Sequence, residues 1–93
     1  MIKSFRCKAT EALFNGEKPA KQLRPIAKVA LRKLDMIDYA DELGELRAPP
    51  GSRLEALKGE RRGQHSIRIN GQWRICFVWQ VDGAYDVEIV DYH

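Results

Sequence analysis

Residues 64–80, QHSIRINGQWRICFVWQ, decide the fold, because their apolar side chains recur at every second position. A β-strand points alternate side chains to opposite faces, so two neighbouring strands here would each present one apolar face. The first strand contributes His65, Ile67 and Ile69 to that face, and the second contributes Trp73, Ile75, Phe77 and Trp79. The segment therefore predicts an antiparallel hairpin with one side in the core.

The register of this hairpin follows from matching the two apolar faces. Asn70-Gly71 is a favoured two-residue turn, but it would place Ile67 opposite Arg74. A loop of residues 70–72 pairs Ile67 with Ile75 instead. Since a slip of one residue moves every side chain to the other face, we expect the longer loop.

The rest of the chain adds one more strand and two helices. Asp82-Gly83 marks a turn into a last strand, from about Ala84 to Val90. Apolar residues three and four apart predict a helix from about Arg24 to Ala40, and a shorter helix fits Thr10 to Asn15. Residues 2–5 alternate weakly and fit a short strand. We expect a single α+β domain, residues 1–93, with an N-terminal short strand and two helices packed on a C-terminal antiparallel sheet.

Ser52-Arg53-Leu54-Glu55 matches a capping box at the start of a helix. In that motif, the Ser hydroxyl accepts a hydrogen bond from the backbone N–H of the Glu, and the Glu carboxylate accepts one from the backbone N–H of the Ser. A single helical turn ending at Gly59 would follow.

The expected register also places Arg68 opposite Arg74, on the sheet face away from the aromatic row. Two guanidinium groups side by side repel each other unless an anion or water separates them. Asp86 and Glu88 of the last strand would supply an internal anion. A phosphate would serve equally well, since the guanidinium fork matches its oxygens. The residues alone leave both interpretations open.

Composition adds limited guidance about partners and compartment. The net charge of +3 and the pI near 9.0 mildly favour a polyanionic partner. Cys7 and Cys76 fit no metal-ligand pattern, so we expect two free thiols in a reducing compartment. The N-terminus turns charged before an apolar stretch develops, and no run approaches the roughly 20 apolar residues of a membrane span. We expect a cytoplasmic protein.

A set of ionisable residues fits the cleavage of RNA by its own 2′-hydroxyl: Lys58, Arg74 and the closing Asp91, Tyr92 and His93. That reaction needs a base, an acid and positive charge at the phosphorus. Histidine serves as acid or base near neutral pH. His65 and His93 lack the spacing of a metal site, so we expect no metal and no cofactor. We expect His65 to be a hydrogen-bonded, partly buried residue.

Three stretches carry a resemblance that spans the chain: MIKSF at 1–5, RLEALKGERRGQHSIRINGQWRICF at 53–77 and DYH at 91–93. Together they resemble the HigB toxins of the RelE/ParE superfamily. The resemblance implies a RelE-like microbial RNase fold and a metal-independent toxin that cleaves mRNA in the ribosomal A site. It also implies neutralisation by a helix-turn-helix, HigA-like antitoxin, with the toxin monomeric when free. Matching the motifs residue by residue gives the catalytic set as Lys58, Arg74, Asp91, Tyr92 and His93.

Two features depart from the resembled toxins. Glu55 stands where they often carry histidine, and it either acts as a base or only closes the capping box. We favour the cap. A basic stripe recurs at three- and four-residue steps along the long helix, at Lys21, Arg24, Lys28 and Arg32. The stripe is either a solvated helix face or, together with Arg68, a contact for RNA phosphates.

Two other functions are compatible with the same residues. A ParE-like toxin has the same fold and binds DNA gyrase without catalysis. A non-catalytic RNA-binding module would use its cations only to hold phosphates. Since function resides in the site rather than the fold, the assembled ionisable set favours the nuclease.

Overall fold

The computed structural model describes residues 1–48 and 51–92. Its elements are α1 (Lys8–Phe14), a 3₁₀ turn (Lys21–Ile26), α2 (Ala27–Tyr39), a second 3₁₀ turn (Leu43–Arg47), β1 (Glu55–Ala56), a third 3₁₀ turn (Gly59–Arg61), β2 (His65–Arg68), β3 (Trp73–Gln80) and β4 (Gly83–Asp91). The four strands form one antiparallel sheet in chain order. Both α-helices contact β4 and each other. The expected α+β fold is confirmed.

The β2–β3 hairpin has the register that its apolar faces predict. Ile67 pairs with Ile75. The side-chain oxygen of Asn70 accepts hydrogen bonds from the backbone N–H groups of Gln72 and Trp73, both at 2.8 Å. Asn70 thereby holds the wider loop in place, a role for which its short amide side chain is well suited.

Residues 2–5, the predicted short strand, form two isolated parallel bridges to β4. Gly83 begins β4 with a φ of +144°, and a Cβ there would collide with the carbonyl oxygen of Met1. Only glycine fits this approach. Farther along, the Thr10 hydroxyl accepts a 3.0 Å hydrogen bond from the backbone N–H of Ile89. The first ten residues therefore cover the outer edge of the sheet, whose backbone groups would otherwise be unpaired.

The core lies between the helices and one face of the sheet. The apolar face predicted for the long helix is buried at Ile26, Ala30, Leu34, Ile37 and Ala40. These side chains form one cluster with the apolar sheet face. Phe77 is fully buried there, and the rings of Trp73 and Trp79 pack against the cluster. The aromatic row is thus core, as expected.

The first turn of the long helix differs from the prediction. Lys21–Ile26 is a 3₁₀ turn, and α2 begins only at Ala27. Pro25 lies inside that turn, and it lacks the backbone N–H that an α-helical hydrogen bond requires. The predicted α-helical start at Arg24 is therefore wrong.

The predicted capping box at residues 52–55 is also wrong. The Ser52 hydroxyl accepts a 2.9 Å hydrogen bond from Lys33 Nζ. Glu55 begins β1, where it pairs with Ser66 of β2. The nearby 3₁₀ turn starts at Gly59, the residue at which we expected a helical turn to end. The local S-x-x-E pattern does not reveal that the Ser52 hydroxyl bonds to a distant lysine or that Glu55 pairs with a neighbouring strand.

Cys7 and Cys76 are both free thiols, as predicted. Within the described residues, no helix combines the length and the apolar character that crossing a bilayer requires.

Candidate active site

The sheet presents polar side chains on the side away from its apolar core face, and we call this side the open face. Its register pairs are Glu55 with Ser66, Ser66 with Cys76, Cys76 with Glu88, and Arg68 with Arg74. The last pair confirms that the two arginines lie opposite each other. Since α1 and α2 pack with the core face, the open face lies on the other side of the sheet from them.

Arg74 is the best-anchored charge on the open face. Its Nε donates to Ser66 Oγ and its Nη2 donates to the carbonyl oxygen of Arg53, both at 2.8 Å. The guanidinium carbon lies 5.7 Å from the centre of the Tyr92 ring, within cation–π range. The residue is only 8% exposed. A buried charge needs such partners, and these hold its planar fork in one orientation.

The segment that supplies the Arg53 carbonyl is itself tied down. Ser52 is fully buried, and its hydroxyl accepts the hydrogen bond from Lys33 of α2. The Ser52 carbonyl oxygen accepts a 2.7 Å hydrogen bond from the backbone N–H of Arg68. Arg53 adopts a φ of +46°, which non-glycine residues rarely do. Lys33 was missed by the sequence reasoning, although its spacing of three residues from Ala30 and four from Ile37 places it on the buried face of α2.

Lys33 is an unusual buried cation. It is 7% exposed, and burial lowers the pKa of its ammonium group, with a smaller contribution from neighbouring Arg32. A buried ammonium disfavours its charged form because the interior solvates it poorly. The bond to Ser52 compensates part of that cost.

Glu55 lies beside Arg74. Its Oε1 is 3.8 Å from Arg74 Nη2, and its side chain is 55% exposed. The carboxylate is therefore accessible to solvent while it faces a fixed positive charge. Glu55 therefore faces Arg74 on the open face, whereas in a capping box its carboxylate would be bonded to the start of a helix.

The end of the chain approaches the same region. Asp91 pairs with Trp73 in the sheet, and its Oδ2 accepts a 3.1 Å hydrogen bond from Gln72 Nε2. The Tyr92 backbone N–H donates to the Gln72 carbonyl oxygen. Tyr92 is 40% exposed with its ring against Arg74. His93 lies outside the described residues. The structure thus brings Tyr92 to Arg74 and places Asp91 one residue before it.

Lys58 is exposed and immediately precedes the third 3₁₀ turn. Within residues 1–48 and 51–92, its ammonium makes no hydrogen bond or ion pair. It follows β1 by two positions, so the chain connects it closely to Glu55. No contact joins it to Arg74 in the described part of the chain.

Among the described residues, the acidic neighbours expected between Arg68 and Arg74 form no ion pair with either arginine. Glu88 Oε1 accepts a 2.9 Å hydrogen bond from Arg61 Nη1. That bond is the main reason the pKa of Arg61 is raised. Asp86 sits at a bulge in β4 with a φ of +53° and is exposed. The internal anion beside Arg74 is therefore Glu55 of β1, and the predicted choice of Asp86 or Glu88 is wrong.

The basic stripe lies on the helical side of the sheet. Lys21, Arg24, Lys28 and Arg32 are all exposed, two on the 3₁₀ turn and two on α2. They do not join Arg74, which lies on the opposite side. Arg68 does share the open face, beside Arg74.

His65 departs from expectation in one respect. It is half-buried and its ring lies 6.4 Å from that of Phe77, as core packing predicts. Its buried Nδ1, however, has no hydrogen-bond partner among the described residues. Burial lowers the pKa of this histidine, and the charge of Arg47 adds to the effect.

The described residues contain no group of three His, Cys, Asp or Glu side chains suited to a metal ion. What the open face offers instead is a fixed guanidinium, an accessible carboxylate and an exposed phenol within one small area. In such an arrangement the guanidinium can bind a phosphate, and the carboxylate can accept a proton from a group on the bound ligand. Ser66, which anchors Arg74, was also missed by the sequence reasoning, although strand alternation already placed it on that face.

Comparison with known protein families shows which family the chain belongs to. A family model described as the RelE-like toxin of the type II toxin–antitoxin system HigB matches residues 3–93. The chain belongs to this HigB-like toxin family.

Two relatives of the HigB-like toxin cover nearly its full length. Toxin HigB-1 of Vibrio cholerae is 39% identical over 90% of this chain and 88% of its own. Endoribonuclease HigB of Proteus vulgaris is 37% identical over the whole of both chains. An uncharacterised Haemophilus influenzae protein is 35% identical over 70% of this chain and 64% of its own.

Solved structures confirm the fold of this HigB-like toxin. Two structures of the YoeB–YefM complex from Staphylococcus aureus match all of this chain and 95% of theirs, each with a TM-score of 0.61. Their sequence identities of 19% and 21% support the shared fold and nothing finer.

Proposed function

We propose that this HigB-like toxin is an endoribonuclease that cleaves mRNA on the translating ribosome without a metal ion. Its 37% identity to Endoribonuclease HigB of Proteus vulgaris, over the whole of both chains, supports the cleavage. The part played by the ribosome rests on the resemblance of the sequence motifs. Cleavage of mRNA stops translation, so growth stops with it.

The observation that carries the proposal is the anchored guanidinium of Arg74. Ser66 and the Arg53 carbonyl engage two of its N–H groups. Arginine has five N–H donors, so donors remain for a phosphate oxygen. Because the group is already buried and fixed, it needs little reorganisation when negative charge develops on the phosphorus. That preorganisation is the main source of electrostatic catalysis.

The proposed reaction is attack by the RNA's own 2′-hydroxyl. A base removes the proton from that hydroxyl, and the 2′-oxygen forms a bond to phosphorus. The bond from phosphorus to the 5′-oxygen breaks, and an acid gives that oxygen a proton. The products are a 2′,3′-cyclic phosphate and a free 5′-hydroxyl. Arg74 binds the non-bridging oxygens, whose negative charge is greatest between the two steps.

We assign the base to Glu55 and the acid to the chain end. Glu55 presents an exposed carboxylate 3.8 Å from Arg74, which places it next to the bound phosphate. Asp91 ends β4, and Tyr92 follows it with its ring against the same guanidinium. His93 comes next in the sequence, and histidine is a common proton donor at neutral pH. Lys58, three residues after Glu55 in the sequence, is assigned to supply a further positive charge.

The proposed partner is an antitoxin encoded beside the toxin gene, of the helix-turn-helix, HigA-like class. The family described for this chain is that of toxins from type II toxin–antitoxin systems. The structural neighbours were solved as toxin–antitoxin complexes. In the free form, we expect the toxin to be a monomer in the cytoplasm.

The decisive experiment maps mRNA 5′ ends after the toxin is expressed. We expect discrete new ends within translated frames and none in mRNA whose start codon is removed. Arg74→Met should abolish the ends and the growth inhibition, whereas Arg47→Met changes an exposed arginine and should leave both intact. Thermal unfolding of the purified variants checks that each is folded.

Either of two results would contradict the proposal. Full cleavage by a folded Arg74→Met protein would remove the assigned role of the guanidinium. Broken DNA without new RNA ends would point to gyrase, as in a ParE-like toxin.

A further inference from the structure

The side chain of Arg61 extends across the open face of the sheet. Arg61 belongs to the third 3₁₀ turn, which precedes β2, and its Nη1 donates a 2.9 Å hydrogen bond to Glu88 Oε1 on β4. Since β3 lies between β2 and β4 in the sheet, the side chain passes over it. The same Nη1 donates to Gln64 Oε1 at 3.1 Å. These two acceptors fix one end of the guanidinium fork.

Cys76 marks the part of the open face that Arg61 covers. It pairs with Glu88 and is fully buried, although both α-helices pack on the core face. Burial raises the pKa of the Cys76 thiol, and the positive charge of Arg61 opposes this rise. The pKa of Arg61 is raised mainly by its bond to Glu88, with smaller contributions from Cys76 and Tyr92. The Arg61 guanidinium therefore lies within electrostatic range of Tyr92, whose ring contacts Arg74.

Arg61 retains donors for a ligand. Within residues 1–48 and 51–92, both of its side-chain hydrogen bonds use Nη1, which leaves Nε and Nη2 for an anion. Its side chain is 34% exposed, so a ligand can reach those donors. Glu88 Oε1 is also 4.0 Å from Arg6 Nε, so one carboxylate faces two guanidinium groups there. The excess positive charge suits a phosphate oxygen.

The register of the sheet places Arg61 on the same side of Arg74 as the assigned base. One row across the open face consists of successive register partners, namely Glu55, Ser66, Cys76 and Glu88. The next row contains Arg74 and its partner Val90, and β4 then leads on to Tyr92. Arg61 is bonded to the row of the base, whereas the chain end lies beyond the row of Arg74.

We infer that Arg61 binds the RNA phosphate one linkage to the 5′ side of the cleaved phosphate. In the proposed reaction, the attacking 2′-hydroxyl belongs to the nucleotide on the 5′ side of the cleaved bond. The base removes the proton of that hydroxyl, so this nucleotide occupies the base side of Arg74. Its own 5′-phosphate comes next along the RNA and reaches Arg61. The inference rests on the proposed function, whose chemistry sets this direction of the RNA.

The test uses mRNA in which this one phosphate is neutral. A methylphosphonate at the linkage 5′ of the cleavage site removes the negative charge and leaves the bases unchanged. On ribosome-bound mRNA, the wild type should lose about 10-fold or more in kcat/KM, as expected for one charge-assisted hydrogen bond. Arg61→Met should lose as much on natural mRNA and little more on the modified mRNA, because losses at two groups in contact do not add.

Further variants separate phosphate binding from a purely structural role. Arg61→Met should raise KM more than it lowers kcat, since the contact exists before and during the reaction. Arg61→Lys keeps the charge without the fork and should lose less than Arg61→Met. Arg62→Met is the matched control, because Arg62 is the exposed next residue, and it should respond to the modified mRNA as the wild type does. Thermal unfolding checks that each variant is folded.

Equal losses on the modified mRNA for the wild type and for folded Arg61→Met would overturn the inference. So would a loss of their difference only when the linkage 3′ of the cleaved phosphate is neutral, since the RNA would then run the other way. Binding of mRNA with a 2′-O-methyl group at the cleavage site tests Arg61 without cleavage. If the wild type cuts no RNA but binds this mRNA more tightly than Arg61→Met, only the proposed function fails.

Discussion

Replacement of Lys33 by methionine tests whether a buried helix residue positions the cleavage site. Methionine has a similar length and no charge, so it fits the space with little repacking. The change removes a hydrogen bond from a charged group, worth about 1.5–3 kcal/mol. It also removes a buried ammonium, and the burial that lowers the pKa of this group generally costs several kcal/mol for a charge. These terms oppose each other, so we expect the free energy of unfolding to change by no more than about 2 kcal/mol.

The effect on cleavage should be larger than the effect on stability. Lys33 holds Ser52, and the next residue supplies the carbonyl that orients Arg74. A displacement of about 1 Å in a catalytic group lowers the rate by about 100-fold. We therefore expect Lys33→Met to cleave mRNA about 10- to 100-fold more slowly in a reconstituted translation reaction with saturating ribosomes.

Two further variants sharpen this test. Ser52→Ala breaks the same hydrogen bond from the other end and should show the same loss of rate. Lys33→Arg keeps a cationic donor and should restore part of the rate. The reasoning is refuted if Lys33→Met cleaves at the wild-type rate, since the link from α2 to the guanidinium would then have no effect on the reaction.

Three other changes have predictable outcomes. Glu55→Gln should slow cleavage by about 100-fold or more, the usual contribution of a general base, and Glu60→Gln in the nearby turn should not; equal rates would reject the assigned base. Thr10→Val leaves the Ile89 N–H buried without a partner and should cost about 1–3 kcal/mol, a fall in Tm of roughly 5–20 °C, whereas Thr10→Ser should retain most of the stability. The pKa of His65 is lower in the folded protein than in the unfolded chain, so its share of stability is present above about 6.5 and is lost as the pH falls from there towards the lower folded pKa. Denaturant unfolding should show a weaker loss of stability on acidification in His65→Gln, and identical pH profiles would contradict that origin.

Glu55 shows how one residue can pass between two interpretations. As a helix cap it would have been a local structural feature with no link to Arg74. In the folded chain it belongs to an edge strand paired with β2, and this pairing carries its carboxylate onto the open face. The same pairing leaves Ser66 beside Arg74 as the anchor of its Nε. A short pattern thus misplaced the residue that we now assign as the base.

The amino-acid sequence by itself determined strands β2, β3 and β4, together with the faces and the register of the β2–β3 hairpin. Side chains alternate with a period of two, so the requirement that Ile67 meet Ile75 left one register that kept charge out of the core. The same periodicity placed Arg68 opposite Arg74, and the three- and four-residue spacing located the buried face of α2. The alternation of side chains in a strand and the spacing of apolar residues in a helix both repeat along the chain, so both can be read from the sequence alone.

The tertiary structure alone decided how the site is assembled. The bonds from Lys33 to Ser52 and from Arg74 to Arg53 join residues 19 and 21 positions apart. The first bond joins α2 to a loop, and the second joins β3 to the same loop. A periodic sequence pattern cannot predict a contact that occurs only once between two distant segments. The burial of Leu46 has the same origin, because the second 3₁₀ turn brings it into the core cluster that contains Leu34 and Ile37. Periodic burial of apolar residues determines the fold, whereas single hydrogen bonds between distant segments determine how the side chains of the site are oriented.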